Sequence, residues 1–173
     1  VQGRFNVADV PKLLAALAER TKAIDPEAPV PPSMVDGSFN IALKEQQPAA
    51  ADVELTLKPA DPKTASPIHL QGRWQPEKAL AAVLEAEGVK VKTEYRQESF
   101  VYQAGMELDN FNSARIAAWL AIVRAKAGGM VSLTGSWSGS GDVKAGKHRG
   151  TLAVAKGDWN REGMPPLAAS GEI

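Results

Sequence analysis

A glycine-rich stretch at residues 141–148, Gly-Asp-Val-Lys-Ala-Gly-Lys-His, comes close to a phosphate-binding loop. That loop requires Ser or Thr directly after its lysine to hold magnesium, with a strand before it and a helix after it. Here His148 follows the lysine, and residues 151–155 alternate like a strand. The stretch therefore predicts a glycine-rich hairpin turn and not a nucleotide site.

Side chains that could act as nucleophiles, metal ligands or acid–base pairs are sparse. Residues 135–139 read Gly-Ser-Trp-Ser-Gly, so Trp137 stands where a nucleophile elbow would have serine, and no helix is predicted to follow. The histidines, His69 and His148, have no carboxylate or second histidine at ligand spacing, and there is no cysteine. No acidic pair stands out as general acid and base. We therefore predict a protein that is not an enzyme, with no catalytic residue, metal or cofactor.

Composition also limits the partners. The 20 basic and 20 acidic residues cancel, which excludes a basic excess that would attract nucleic acid or anionic lipid headgroups. The 173 residues suit about one domain, and no apolar run approaches the roughly 20 residues of a membrane span. No signal peptide is recognised. The chain starts without Met inside a strand-like segment, so we expect an excerpt of a longer protein.

The remaining candidates for a binding site are apolar. Aromatic residues recur at matching places in a weak internal repeat, at Phe5, Phe39, Trp74, Phe111 and Trp137. Two interpretations stay open, because these rings either pack the corners between strands and helices or line an apolar groove. The groove candidates are Phe100, Tyr102, Met106, Leu108, Phe39 and Ile41.

Three amphipathic helices are predicted to position these residues, at 9–23, 76–87 and 113–127. Each has apolar residues at helical spacing. These residues are Val10, Leu13, Leu14 and Leu17 in the first, Leu80, Val83 and Leu84 in the second, and Ile116, Trp119, Leu120 and Val123 in the third. Pro76 suits the first turn of the second helix, and Gly88 suits its end.

Alternation of apolar and polar residues predicts about nine strands. They cover residues 1–6, 39–43, 53–57, 68–74, 89–96, 100–108, 130–137, 148–155 and 167–173. Because each strand has one apolar face, we expect a mostly antiparallel sheet that the helices partly cover. The predicted fold class is α+β and β-dominated: one domain, 1–173, with a curved sheet of degenerate strand–helix repeats. The repeat covers 1–44 and 106–141, with a partial copy at 68–88.

The chain resembles the AsmA-like superfamily of bacterial envelope proteins, which includes TamB-type and YhdP-type proteins. Residues 108–120 are similar to the family's short helix after a strand. Residues 131–141, 150–159 and 164–173 are similar to its strand rhythm, in which glycines punctuate alternating strands. The resemblance covers about two thirds of the chain, and its motifs are loose glycine and alternation patterns.

The resemblance implies a long groove-shaped sheet with an apolar interior that guides phospholipid between the two membranes or helps outer-membrane assembly. We therefore expect a periplasmic location in a Gram-negative bacterium, with an inner-membrane anchor outside this chain. The expected partners are phospholipid acyl chains and envelope proteins, with no nucleic acid, and with membrane contact only through segments outside this chain. The alternative is a scaffold of an envelope or secretion machine, in which helices close the core and strand edges bind partners.

Overall fold

The structure is a computed structural model that describes residues 1–8, 12, 33–63, 65–76, 79–115, 130–160 and 167–172. These residues form one sheet of ten antiparallel strands, in which the spatial order follows the order along the chain. The strands are β1 Gln2–Val7, β2 Ser33–Lys44, β3 Gln47–Pro59, β4 Ile68–Trp74, β5 Leu80–Ala86, β6 Val89–Arg96, β7 Val101–Asn112, β8 Met130–Asp142, β9 Lys147–Asn160 and β10 Leu167–Glu172. A single 3-10 turn follows β7 at Ser113–Arg115.

The described fold is all-β, so the predicted α+β class with three amphipathic helices is wrong. The predicted second helix, 76–87, instead contains β5, which pairs with β4 on one side and β6 on the other. Leu80, Val83 and Leu84 have helical spacing, but the alanines among them fit either face of a strand equally well. A short apolar run of this kind does not distinguish helix from strand, and pairing with two neighbours decides the outcome.

The other two predicted helices fall largely on residues outside the described ranges. Of the first, 9–23, the structure describes only Lys12, and of the third, 113–127, it describes only the opening 3-10 turn. The partial repeat copy at 68–88 loses its helix, because its second half is β5. The mostly antiparallel arrangement of the sheet is confirmed, since every pairing between the ten strands is antiparallel.

The two ends of the sheet differ. At one end, the turn end, short turns join neighbouring strands at residues 45–46, 75–79, 97–100 and 143–146. The other end, the loop end, has the tight turn at 87–88 and the longer connections 8–32, 60–67, 113–129 and 161–166. Antiparallel neighbours need only about two residues between them, so topology alone does not require the longer connections.

The two faces of the sheet differ as well, because side chains alternate along every strand. The polar face has charged and hydroxyl side chains, including ion pairs between neighbouring strands. Asp36 bonds Lys58 at 2.7 Å, Asp52 bonds Arg73 at 2.7 Å, and Glu85 bonds Lys90. The opposite face, the apolar face, has mainly aliphatic and aromatic side chains. This alternation follows the sequence pattern and fixes the strand register.

A clamp centred on Arg115 holds the loop end. The Arg115 guanidinium donates to the carbonyl oxygens of Pro62 and Lys63 and to the Glu87 carboxylate, each at 3.0 Å. The Ser66 amide donates to the Arg115 carbonyl at 3.1 Å, and the Ser66 hydroxyl donates to Glu87 at 2.5 Å. The clamp therefore ties the β3–β4 loop to the end of β7, across the ends of β4, β5 and β6.

Candidate functional site: the apolar face

An unbroken cross-strand row runs along the middle of the apolar face through nine neighbouring strands. Its members stand opposite one another in register, from Phe5 through Gly37, Leu55, Leu70, Leu84, Val91, Met106 and Trp137 to Leu152. Eight steps between strands correspond to about 38 Å. We call this set the central row. One glycine excepted, it offers a continuous strip of aliphatic, thioether and aromatic surface.

Rings lie flat on glycines at both sides of the apolar face. The Phe39 ring covers Gly3, because a Cβ added at Gly3 would come within 2.5 Å of ring atoms. The Phe5 ring covers Gly37 in the same way, and the Trp137 ring covers Gly139. Glycine leaves room for an aromatic ring to lie over the backbone, an arrangement known to stabilise sheets. The rings thus occupy the space that a side chain at each of these glycines would need.

The apolar face is half-buried rather than enclosed. Central-row side chains from Leu55 to Leu152 are of intermediate exposure, and Phe5 is 39 % exposed. The described residues that reach full burial lie towards the loop end: Ser33, Ala65, Ser66, Leu108 and Ser113. A soluble domain ordinarily packs such a face against a second layer. Among the described residues, however, all ten strands belong to one sheet.

Five of the six predicted groove residues lie on this face. Met106 is in the central row, Leu108 lies nearer the loop end, and Phe39 lies nearer the turn end. Ile41 and Tyr102 lie in the row closest to the turn end. The structure therefore brings these five together on one surface, although Ile41 and Tyr102 are separated by the four strands between β2 and β7.

Phe100 does not join the others. It is the last residue of the β6–β7 turn, has a φ of 57°, and is 41 % exposed. The Lys144 ammonium lies 5.4 Å from the centre of its ring. The alternation pattern extends from Tyr102 back to Phe100, but the turn redirects the chain before β7 begins. Phe100 thus belongs to the turn end of the sheet.

The histidines lie on opposite faces. His69 is on the polar face, with its Nδ1 atom 3.1 Å from the Thr56 hydroxyl. His148 is at the turn end of the apolar face, where its Nδ1 atom and the Tyr102 hydroxyl are hydrogen-bonded at 3.2 Å. Within the described part of the chain, no three His, Asp or Glu side chains come together as a metal site would require.

The glycine-rich stretch at 141–148 forms a hairpin. β8 ends at Asp142, β9 begins at Lys147, and Gly146 has a φ of 64°. The Asp142 carboxylate accepts the Ala145 amide at 2.7 Å, which closes the turn. A phosphate-binding loop leads into a helix whose N-terminal amides point at the phosphate, whereas this stretch leads into a strand. The prediction of a hairpin turn is confirmed.

Shallow depressions of about 350–470 Å³ open on the polar face, and charged side chains border them. Two carboxyl groups of the polar face, one of them bordering a depression, have shifted pKa values. The Lys90 ammonium hydrogen-bonded to Glu85 lowers the pKa of that carboxyl, and the Lys58 ammonium does the same for Asp36. Ionised, hydrated borders do not suit an apolar ligand, so the apolar face is the candidate site.

Sequence reasoning missed part of the central row. The sequence pattern predicts a helix at Leu84, and it predicts strands at 53–57, 68–74 and 89–96 without linking Leu55, Leu70 or Val91 to a site. Alternation within each strand was the available signal. The alignment of these residues into one row depends on register between strands, which a single strand does not specify.

By its fold, the described part of this protein is all-β: it is a single antiparallel sheet with one apolar face. Comparison with protein-family models, with curated proteins and with solved structures finds no match for the chain. In the described residues, no helix has the length and apolarity needed to cross a membrane.

Proposed function

We propose that this chain binds acyl chains of phospholipid along its apolar face, as a segment of a longer AsmA-like envelope protein. The observation that supports the proposal is the central row, which is continuous over nine strands and half-exposed. Its length of about 38 Å exceeds the roughly 15 Å that one leaflet of hydrocarbon occupies. An acyl chain could therefore lie along the row, across the strands, with apolar side chains against one side of it over its whole length.

The driving force for this proposal is the removal of apolar surface from water, at about 25 cal/mol per Å². Such binding is non-directional and requires no catalytic group, so the lipid can move along the row without a chemical step. The polar face keeps the other side of the sheet hydrated through its cross-strand ion pairs. In this proposal the chain works in the periplasm of a Gram-negative bacterium, and the inner-membrane anchor lies outside the chain.

The test compares two substitutions on the same strand with opposite orientations. Met106→Asp places a carboxylate in the middle of the central row, whereas Gln103→Asp places the same group on the exposed polar face of β7. We expect native mass spectrometry to show phospholipid bound to the wild-type chain and to Gln103→Asp, with a loss of about tenfold or more in Met106→Asp.

Circular dichroism and urea unfolding check that both variants remain folded. Lipid-free wild-type protein, or lipid retained equally by folded Met106→Asp, would contradict acyl-chain binding. Wild-type protein that is lipid-free and a stable monomer would favour the second candidate function below.

The second candidate function is a partner-binding scaffold, and the open edge of β1 favours it. In the described part of the chain β1 pairs only with β2. Val1 and Ile41 exchange two backbone hydrogen bonds, of 2.6 and 2.7 Å, so the alternate residues Gln2, Arg4 and Asn6 turn their backbone groups outwards. A partner could add a strand at this edge.

A further inference from the structure

Exposed apolar side chains gather at the turn end of the sheet. Seven large apolar residues of the described part are notably exposed, and five of them lie there. They are Val1 (68 % exposed), Leu43 (53 %), Leu80 (41 %), Phe100 (41 %) and Val143 (54 %). Val1 lies at the start of β1, Leu43 and Leu80 lie beside two of the turns, and Phe100 and Val143 lie within two others.

The β6–β7 and β8–β9 turns form the most connected part of this end. The Val143 amide donates to the Phe100 carbonyl at 2.9 Å, which holds the two turns side by side. The Lys144 ammonium lies 5.4 Å from the Phe100 ring centre, and Lys147 is exposed at the start of β9. This part of the turn end therefore holds two exposed apolar residues and two lysines, beside the carboxylates of Glu98 and Asp142. We call Phe100, Val143, Lys144 and Lys147 the tip cluster.

We propose that the turn end contacts the surface of a lipid bilayer containing anionic headgroups, with the tip cluster inserted into the interface. Apolar side chains flanked by lysines suit this region, because the apolar part enters the acyl boundary and the ammonium stays among the headgroups. Lysines near the surface also gain from the negative potential of anionic lipids.

The spacing of the apolar residues favours a bilayer over a folded protein partner. Hairpins along this end repeat every two strands, about 10 Å apart, so Leu43, Leu80 and Phe100 stand separately. Charged residues such as Glu45 and Arg96 lie between them. A protein interface concentrates apolar residues in one core depleted of charge. A bilayer interface accepts separate apolar insertions.

This contact differs from two expectations: that the neutral chain has no basic excess to attract anionic headgroups, and that only segments outside the chain touch a membrane. The charge of the whole chain averages over regions that the fold separates, whereas residues 96–100 and 142–147 together hold three cations, Arg96, Lys144 and Lys147, against two carboxylates, Glu98 and Asp142. The proposal is also independent of acyl-chain binding, since the tip cluster and the central row share no residue.

Vesicle flotation tests the contact, with vesicles of phosphatidylcholine alone and of phosphatidylcholine containing one-quarter phosphatidylglycerol. Phe100→Asn removes the ring and suits the positive φ, because asparagine adopts that conformation readily. Met34→Gln is the matched control, because Met34 is 44 % exposed but lies near the loop end of β2 on the polar face. We expect wild type and Met34→Gln to float with the anionic vesicles and Phe100→Asn to bind about tenfold or more weakly.

A double substitution that removes two positive charges completes the test. Lys144→Gln combined with Lys147→Gln is expected to lose the preference for anionic vesicles, whereas Lys63→Gln, in the β3–β4 loop, keeps it. Absence of flotation by the wild type, or equal flotation of folded Phe100→Asn and Met34→Gln, would overturn the proposal. Acyl-chain binding is measured on the same preparations by native mass spectrometry. If Phe100→Asn no longer floats with vesicles but still binds lipid in native mass spectrometry, bilayer contact and acyl-chain binding are separate functions.

Discussion

At the scale of single residues, glycines decide where the backbone can turn and how closely strands approach. Gly88 has a φ of 70°, and a Cβ added there would lie 2.7 Å from the Asp109 carbonyl oxygen and 2.9 Å from the Phe111 Cα atom. The Asp109 amide in turn donates to the Gly88 carbonyl at 3.0 Å. The β5–β6 turn and the irregular end of β7 therefore fit together only around glycine.

Gly88→Ala should lower the free energy of unfolding by about 2 kcal/mol or more, because left-handed strain and backbone overlap add together. Gly146→Ala is the control, since Gly146 has a similar φ of 64° but open space around its Cβ position. It should cost only the strain, about 1 kcal/mol. Urea unfolding measures both. Equal losses would mean that the contact at Gly88 relaxes freely.

The conformation of a single residue also explains why Phe100 lies outside the candidate site. Phe100 and Tyr102 are two positions apart, and an uninterrupted strand would place both on one face. The left-handed conformation at Phe100 ends that alternation. A sequence pattern shows which residues could share a face but not where a strand begins, and a strand boundary decides the function of the side chain.

At the scale of elements, short turns set the register of each hairpin. Glu45 and Gln46 join β2 to β3 and have φ values of 52° and 65°, as in a type I′ turn. Neither residue is a preferred occupant of that conformation, which usually has Asn-Gly. The hairpin therefore forms because β2 and β3 pair over twelve register positions, from Ser33 opposite Pro59 to Lys44 opposite Gln47.

Replacing Glu45 by Asn together with Gln46 by Gly should stabilise the protein by about 1 kcal/mol, since the turn then has residues suited to positive φ. Thermal unfolding followed by circular dichroism measures the gain. Gln47→Gly, one residue later in β3, provides the comparison and should destabilise by about 0.5–1 kcal/mol. A loss of stability in the turn variant would show that this turn is not of type I′.

At the scale of the whole molecule, exposed ion pairs spread over the polar face and the loop end make stability depend on pH. Hydrogen bonds from Lys58, Lys90 and Ser66 lower the pKa values of Asp36, Glu85 and Glu87, respectively. A carboxyl group whose pKa is lower in the folded state than in the unfolded state stabilises the fold at pH values above its ordinary pKa. That contribution is lost as the pH falls through the folded value.

The midpoint of urea unfolding should therefore decrease as the pH falls below the ordinary carboxyl values of 3.8 for Asp and 4.5 for Glu. The combined variant Asp36→Asn, Glu85→Gln and Glu87→Gln should show a flatter dependence over the same range. Because the groups are exposed, the effect is small and weakens in high salt. If the unfolding midpoint changes with pH equally in the variant and the wild type, other groups cause the acid sensitivity.

Local sequence pattern is sufficient to identify the strands whose apolar and polar residues alternate cleanly. Two examples are Val89 to Arg96 and the run from Tyr102 to Leu108. Each has an apolar side and a more polar side whichever strands lie next to it, so the alternation with a period of two residues identifies it. The sequence also indicated the hairpin at 141–148, because glycine and the absence of a following helix are local properties.

Three outcomes became clear from the folded chain alone: residues 80–86 form a strand, five groove candidates share one surface, and Phe100 lies outside it. The first two outcomes depend on register between strands, as when Leu84 stands between Leu70 and Val91. The third depends on the left-handed residue that precedes β7. Backbone hydrogen bonds to two neighbouring strands outweigh a helical spacing that the chain shows only locally. The central row exists because nine strands align, and no one of them encodes that alignment alone.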